Sequence, residues 1–165
     1  TYRTVIMESG FDAAFGLQSS VLHVKSDSFA LPRFTMTENY AGFSRFQLIA
    51  NTMPLPVTDI TPEDPLLDSA VPQLGFTLPE SLQDKASQLS CFLSGLGKLD
   101  PEILGQLRYE FKINAPLLSK RVRLNCTLPV KTDTGETRWR WYGQLYIVER
   151  AEQNDPVQYL SSPAP

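Results

Sequence analysis

Apolar and polar residues alternate one by one in the last third of the chain. In RVRLNCTLPVK, residues 121–131, every even-numbered position is apolar. Successive side chains of a β-strand point to opposite faces, so this pattern predicts a strand with one buried face. TRWRWYGQLYIV, residues 137–148, alternates as well, and Thr132-Asp133-Thr134-Gly135 between the two segments has turn composition. The two segments are predicted to form a β-hairpin.

The length of the connecting loop decides which side chains of the hairpin share a face. A four-residue loop pairs Leu128 with Trp139, whereas a three-residue loop pairs Leu128 with Arg140. Because a slip of one residue exchanges the two faces, the four-residue loop with Gly135 at positive φ is preferred, since it turns the tryptophans inward. The opposite face then carries six basic and aromatic residues: Arg121, Arg123, Arg138, Arg140, Tyr142 and Tyr146.

Apolar residues recur at steps of three and four in the middle of the chain. One such stripe follows Pro79 and consists of Leu82, Ala86, Leu89, Leu93 and Leu96. A second segment opens with Asp100 and Pro101, an N-cap followed by a proline in the first turn, and ends before Pro116. This spacing and the short link predict two antiparallel helices, a helical hairpin.

The first third of the chain has shorter patterns. They predict a strand at residues 1–7, a short helix at 11–15, and a hairpin of 20–24 and 29–37 around a turn at 26–28. Aromatic residues every three positions at 39–51 predict a helix that packs its aromatic face inward, with a strand at 43–51 as the alternative.

Residues 52–79 contain six prolines among four acidic residues. Proline fixes φ and lacks the amide donor that helices and central strands need, so this segment is predicted to be a long Pro-rich acidic loop. The predicted fold is α+β: an antiparallel sheet of about five strands packs one face against the helical hairpin. Residues 1–150 form a single domain and residues 151–165 a C-terminal tail.

Composition argues against several kinds of site. The 165 residues include one histidine, His23, and two cysteines, Cys91 and Cys126, which rules out the usual zinc spacings and His-based catalysis. Glycine-rich phosphate loops are absent from the sequence, and no cofactor is expected. The two cysteines are expected to be buried free thiols, with a single bridge as the alternative. No apolar run is long enough to span a membrane, so a soluble protein is predicted, with the cytoplasm as the default compartment.

Charge is distributed unevenly along the chain. The chain carries a net charge of −3, yet residues 120–150 hold seven basic and three acidic residues. The sequence therefore predicts a non-catalytic binding or assembly module that contacts another macromolecule, most readily a protein, through the basic and aromatic face of the hairpin. A single-stranded nucleic acid is the alternative partner, since such chains stack on aromatic rings and pair with arginines. The oligomeric state is not predicted.

The strand, Gly-Glu turn and Trp-containing strand of residues 120–150 resemble the closing hairpin of PAS sensor domains. The resemblance covers only this hairpin. It implies a further alternative, a small-molecule sensor with an enclosed apolar pocket lined by Trp139 or Trp141.

Overall fold

The computed structural model describes residues 2–37, 40–105 and 107–149. Within this part of the chain, ten strands form two sheets, accompanied by α1 (Tyr2–Glu8), α2 (Phe43–Ala50) and one long 3₁₀ helix (Glu80–Gln88). The prediction of a mixed fold with mainly antiparallel sheets is confirmed. The prediction of one five-stranded sheet on a helical hairpin is wrong. The predicted tail at 151–165 lies outside the described residues.

The larger sheet is built around the long C-terminal hairpin. Its six strands among the described residues are β1 (Met53–Pro54), β3 (Leu66–Leu67), β5 (Ser90–Leu93), β6 (Gly97–Leu99), β9 (Arg121–Lys131) and β10 (Thr137–Val148). The order β10-β9-β5-β6 is antiparallel throughout. Strands β1 and β3 pair in parallel with β10 at two separate stretches.

The smaller sheet is antiparallel. Its four strands within the described chain are β2 (Thr58–Thr61), β4 (Gln73–Thr77), β7 (Pro101–Leu104) and β8 (Arg108–Lys112), in the order β2-β4-β8-β7. Proline at the start of the edge strand β7 costs no ladder bond inside the sheet.

The hydrophobic core contains side chains of both sheets. Phe76 of β4 is fully buried, and its ring lies 5.5 Å from the ring of Tyr142 on β10, so this contact links the two sheets. The same ring lies 5.7 Å from Phe111 and 6.0 Å from Tyr109, both on β8. One continuous cluster of buried residues joins β4 and β8 to β9 and β10. The fold is therefore two sheets packed through a shared core.

The predicted helical hairpin is replaced by a 3₁₀ helix and four strands. The first helix does begin after Pro79, and Leu82 and Ala86 are buried as predicted, but it ends at Gln88. The next residues pair with β9 and bury Cys91 and Leu93 alternately. The leucine stripe fits a strand as well as a helix there, because residues 89, 91 and 93 also share a strand face.

The second predicted helix is the β7–β8 hairpin. In RYEFK, Tyr109 and Phe111 face the core, while Arg108, Glu110 and Lys112 face the other way, which is strand alternation. Leu107 adopts a positive φ of 62° in the connecting turn, a conformation that no helix interior contains. The hydroxyl of Tyr109 donates a hydrogen bond of 2.9 Å to the carbonyl of Ala86 and ties β8 to the 3₁₀ helix.

Several N-terminal predictions are also wrong. Residues 2–8 form helix α1 rather than a strand, and no strand of the described chain pairs with them, so only a helix satisfies their backbone groups internally. The predicted helix at 11–15 and hairpin at 20–37 are irregular, with a single bridge between Phe15 and Leu31. Helix α2 confirms the helix predicted near 39–51 over the strand alternative, but none of its residues is buried.

The Pro-rich segment is more ordered than predicted. It contains β1, β2, β3 and β4, and Leu74 and Phe76 of β4 are fully buried. Its acidic residues stay outside the core, since Asp59, Glu63, Asp64 and Asp68 are partly or fully exposed. The prolines allow this arrangement because Pro54 lies on a short edge strand, where a missing donor costs little.

The two cysteines form a disulfide bond. Cys91 of β5 and Cys126 of β9 lie directly opposite each other, and both are buried in the core. The expectation of two free thiols is therefore wrong. Sequence alone could not decide this, because the bridge depends on the pairing of β5 with β9, and residue 91 was assigned to a helix.

Candidate functional site

The C-terminal hairpin has a three-residue loop rather than the predicted four-residue loop. The amide of Thr132 donates to the carbonyl of Glu136, and the amide of Gly135 donates to the carbonyl of Thr132, both at 2.9 Å. Gly135 has φ of 83°, so its predicted positive φ is confirmed. This is the usual three-residue hairpin, a type I turn followed by a glycine bulge. It pairs Leu128 with Arg140, the register that the sequence analysis rejected.

The shift of one residue reverses the faces of β10. Tyr142 and Tyr146 point into the core and are 9% and 1% exposed. Trp139 and Trp141 are on the outer face instead. Two of the six predicted binding residues, the tyrosines, are thus core residues that no partner can reach without unfolding the sheet.

Burial raises the pKa of both tyrosines. Removal from water raises the pKa of Tyr146 to about 12 and that of Tyr142 further, and the nearby Tyr146 adds to the effect on Tyr142. Burial also raises the pKa of Tyr109. The hydroxyl of Tyr142 has no hydrogen-bond partner among the described residues. These phenols are held neutral by the apolar core.

Stability is expected to fall at alkaline pH. The unfolded chain loses tyrosine protons near pH 10 while folded Tyr146 keeps its proton to about 12, so the folded state binds more protons in that window. The free energy of unfolding should then drop by about 1.4 kcal/mol per pH unit for each such tyrosine. Urea unfolding at several pH values above neutrality measures this slope. Tyr146→Phe should reduce it, and an unchanged slope would show that Tyr146 is exposed.

Arg138 and Arg140 lie on the same face of β10 as the tyrosines, nearer the hairpin end. Both are half-buried. The Nη1 atom of Arg140 donates a hydrogen bond of 2.9 Å to the carbonyl of Pro54, and its Nε is buried without a partner in the described chain. Arg140 therefore fastens the edge strand β1 to β10. The structure does not bring these two arginines together with Arg121 and Arg123.

Arg121 and Arg123 lie on the outer face as predicted and are exposed. Two residues that the sequence analysis missed share this face, Phe92 of β5 and Lys98 of β6, which lie directly opposite each other. Phe92 is 48% exposed. Among the described residues, none of the three cations Lys98, Arg121 and Arg123 forms an ion pair. We name Phe92, Lys98, Arg121 and Arg123 the cationic face.

The cationic face contains no opposing charge within its sheet. The outward positions of β5, β6, β9 and β10 carry no carboxylate along the described strands. Opposite Arg123 lies Leu145, and opposite Arg121 lies Ile147, both half-buried. The result is a surface of positive charge interrupted by apolar side chains.

The N-terminal part of the chain covers the rest of the outer face. Residues 14–34, the cover segment, contact β10 at Trp141 and Gly143. The ring of Phe34 lies edge-on to Trp141 at 5.3 Å, and the hydroxyl of Ser20 donates to the Trp141 carbonyl at 3.3 Å. A side chain at Gly143 would collide with the carbonyl oxygen of Ser19.

Signals for Phe92 and Lys98 are present in the sequence. SCFL alternates, with Phe92 between two buried residues. Positive φ follows at Gly95 in the turn and at Gly97, where β6 begins. Read as strand, turn and strand, this segment would have placed Phe92 and Lys98 on one face. The leucine spacing concealed that alternative.

The described residues show no metal centre. No group of three or more His, Cys, Asp or Glu side chains is close enough to hold a metal ion in this part of the chain. His23 is exposed. The described helices lack the length and apolarity needed to cross a bilayer.

Two clefts among the described residues are open to solvent, one beside Gln73 and Glu110 and the other beside Trp139. The enclosed pocket of a PAS-like sensor stays a prediction. No family model matches the chain, and no curated protein or solved structure is significantly similar to it. Function must therefore be argued from the surface itself.

Proposed function

We propose that the chain is a non-catalytic binding module that contacts an acidic protein segment through the cationic face. The observation that supports this most is a sheet face with three unpaired cations and no carboxylate at the outward strand positions. Lys98 lies directly opposite the exposed Phe92, and Arg123 and Arg121 follow along β9. Cations without ion-pair partners attract a negatively charged partner and orient its approach.

The apolar residues of this face favour a protein partner. Phe92 lies opposite Asn125, two residues from Arg123 along β9, and diagonal neighbours on a sheet are about 7–8 Å apart. An extended segment that alternates acidic and apolar side chains would meet a cation and an apolar contact in turn. Aromatic residues and arginine are also the residue types enriched at protein interfaces.

A single-stranded nucleic acid fits this face less well. Successive bases need several exposed rings on which to stack. Within the cationic face Phe92 is the single aromatic residue, since the ring of Trp141 packs against Phe34 and the tyrosines are buried. The net charge of −3 also opposes general affinity for phosphates.

The proposal is tested by fluorescence polarisation with two labelled probes. One is a synthetic peptide of alternating Glu and Phe or Leu residues, and the other is oligothymidine. The peptide should bind, and its affinity should fall with added salt because the attraction is electrostatic. Arg123→Glu should weaken binding about tenfold or more, since it reverses a charge in contact with the peptide.

Lys25→Glu is the matched control, because it makes the same charge change at an exposed position of the cover segment. It should leave peptide affinity within about twofold of the unaltered chain. Equal effects of the two variants, or no peptide binding at all, would overturn the proposal. Binding of oligothymidine that depends on Arg123 would replace the acidic peptide with a nucleic acid.

A further inference from the structure

A second surface feature lies at the other end of β10, away from the cationic face. One side of α2 faces the start of β10 across an open cleft of about 580 Å³. Four α2 residues at helical spacing line it, namely Ser44, Gln47, Leu48 and Asn51. The opposite wall consists of residues 136–139. The volume of the cleft is within the range of small-molecule sites, about 300–1,000 Å³.

The cleft presents hydrogen-bonding groups of both kinds. The Ser44 hydroxyl and Gln47 amide can donate and accept, the Glu136 carboxylate accepts, and the Arg138 guanidinium donates. None of these four side chains has a hydrogen-bond or ion-pair partner within the described residues. They are therefore available to a ligand.

The remaining polar side chains of the cleft are already engaged. The amide Nδ2 of Asn51 donates to the Gln47 carbonyl at 2.8 Å, and the Thr137 hydroxyl accepts from Lys131 Nζ at 2.7 Å. These bonds fix the end of α2 and the start of β10. Hydrogen bonds thus hold Asn51 and Thr137 in place next to the side chains that have no partner.

The charge of the cleft excludes strongly ionic ligands. Its two charged side chains, Glu136 and Arg138, are one anion and one cation, so their formal charges cancel. A phosphate or sulfate ligand needs concentrated positive charge, and Glu136 would repel it. A metal cation would meet one carboxylate next to a guanidinium, which is a poor ligand set.

Trp139 supplies a flat apolar surface in the cleft. The residue is 36% exposed, because the three-residue loop turns its side chain to the outer face of the sheet. A large ring that is open to solvent offers stacking area to the apolar side of a ligand. The hydrogen-bond donors and acceptors of the cleft can pair with ligand groups that both donate and accept hydrogen bonds. Hydroxyl groups are of that kind, since each donates one bond and accepts two.

We infer that this cleft binds a neutral carbohydrate chain. A sugar ring has an apolar C–H face that would lie on Trp139, and a rim of hydroxyl groups that would pair with Ser44 and Gln47 of α2. Glu136 and Arg138 lie on the other face of β10 and would reach the ring from across the edge of that strand. The open end of the cleft lets a linear oligosaccharide extend into solvent. This inference is independent of the proposed peptide partner, because the two surfaces share no residue.

The test is a titration with linear neutral trisaccharides: cellotriose, chitotriose, maltotriose, xylotriose and mannotriose. At least one should bind with a dissociation constant of about 1 mM or below, read by calorimetry and by tryptophan fluorescence. Amide chemical-shift changes on saturation should cluster at residues 44–51 and 136–139. Shift mapping on the unaltered protein keeps the test independent of any variant's folding.

Two variants and one control separate the cleft from the rest of the molecule. Trp139→Ala should weaken binding about tenfold or more and Glu136→Gln measurably, whereas Phe92→Ala on the cationic face should leave it unchanged. The inference is overturned if no trisaccharide binds at concentrations of about 10 mM, or if Trp139→Ala binds as well as the unaltered chain. Neither result bears on peptide binding, which is measured separately.

Discussion

Replacing Phe76 with alanine is expected to lower the free energy of unfolding by about 3–5 kcal/mol. The side chain is fully buried and meets the rings of Tyr109, Phe111 and Tyr142. Its removal takes away apolar burial and leaves a cavity where the smaller sheet meets the larger one. Urea unfolding followed by circular dichroism measures the change.

Phe92→Ala is the matched control for Phe76→Ala. It makes the same substitution on the outer face, where the side chain is half exposed, so its cost should be well below that of Phe76. If the two variants lost equal stability, the two sheets would not share a core through Phe76. The packing of β4 against β10 would then be contradicted.

Reduction of the disulfide bond is expected to have an effect of similar size. Cys91 and Cys126 are 35 residues apart, and closing a loop of that length stabilises the folded state by about 4 kcal/mol in the chain-entropy account. Unfolding in urea with and without a reductant measures the difference. The variant Cys91→Ala with Cys126→Ala should be less stable than the oxidised chain and should not respond to the reductant.

A thiol titration of the denatured, unreduced chain provides the independent check. The disulfide predicts no reactive thiol, whereas two thiols per chain would contradict the bond. Structural disulfides persist in oxidising compartments and are rare in the cytosol.

Strand β9 was predictable because only a strand explains its alternation of apolar and polar residues. Apolar residues at every second position over 11 residues fit a strand with one buried face and no helix. All five even-numbered side chains, from Val122 to Val130, are buried. The exposure of Arg121 and Arg123 followed directly from this pattern, and these are the two predicted binding residues that remain in the proposed site.

Strand β10 was misread because both of its faces contain aromatic residues. Tryptophan was given the inward position over tyrosine on hydrophobicity, yet Tyr142 and Tyr146 are the buried residues, and Tyr142 packs against Phe76. The turn was the better guide, since a glycine in the third position of a three-residue loop favours the bulged hairpin. The predicted register was chosen from the hydrophobicity of the side chains, whereas the turn type gives the correct register.

The helical hairpin failed for a different reason. The leucine spacing by itself is compatible with a helix. Residues 90–93 form a strand because their backbone groups pair with the long strand β9. Tertiary pairing of this kind cannot be read from local spacing. The disulfide, Phe92 and Lys98 all depend on that one pairing, so sequence reasoning missed them together.

The register of the hairpin decides that the tyrosines of β10 face the core and that Trp139 faces outward, and interproton contacts across the strands test it most directly. The Cα atoms of Cys91 and Cys126 are 4.1 Å apart, a non-hydrogen-bonded pair, so the odd-numbered residues of β9 form such close pairs with β10. Strong Hα–Hα Overhauser effects are therefore expected between Thr127 and Trp141 and between Arg123 and Leu145. Effects between Thr127 and Arg140 and between Arg123 and Gln144 in their place would contradict the account.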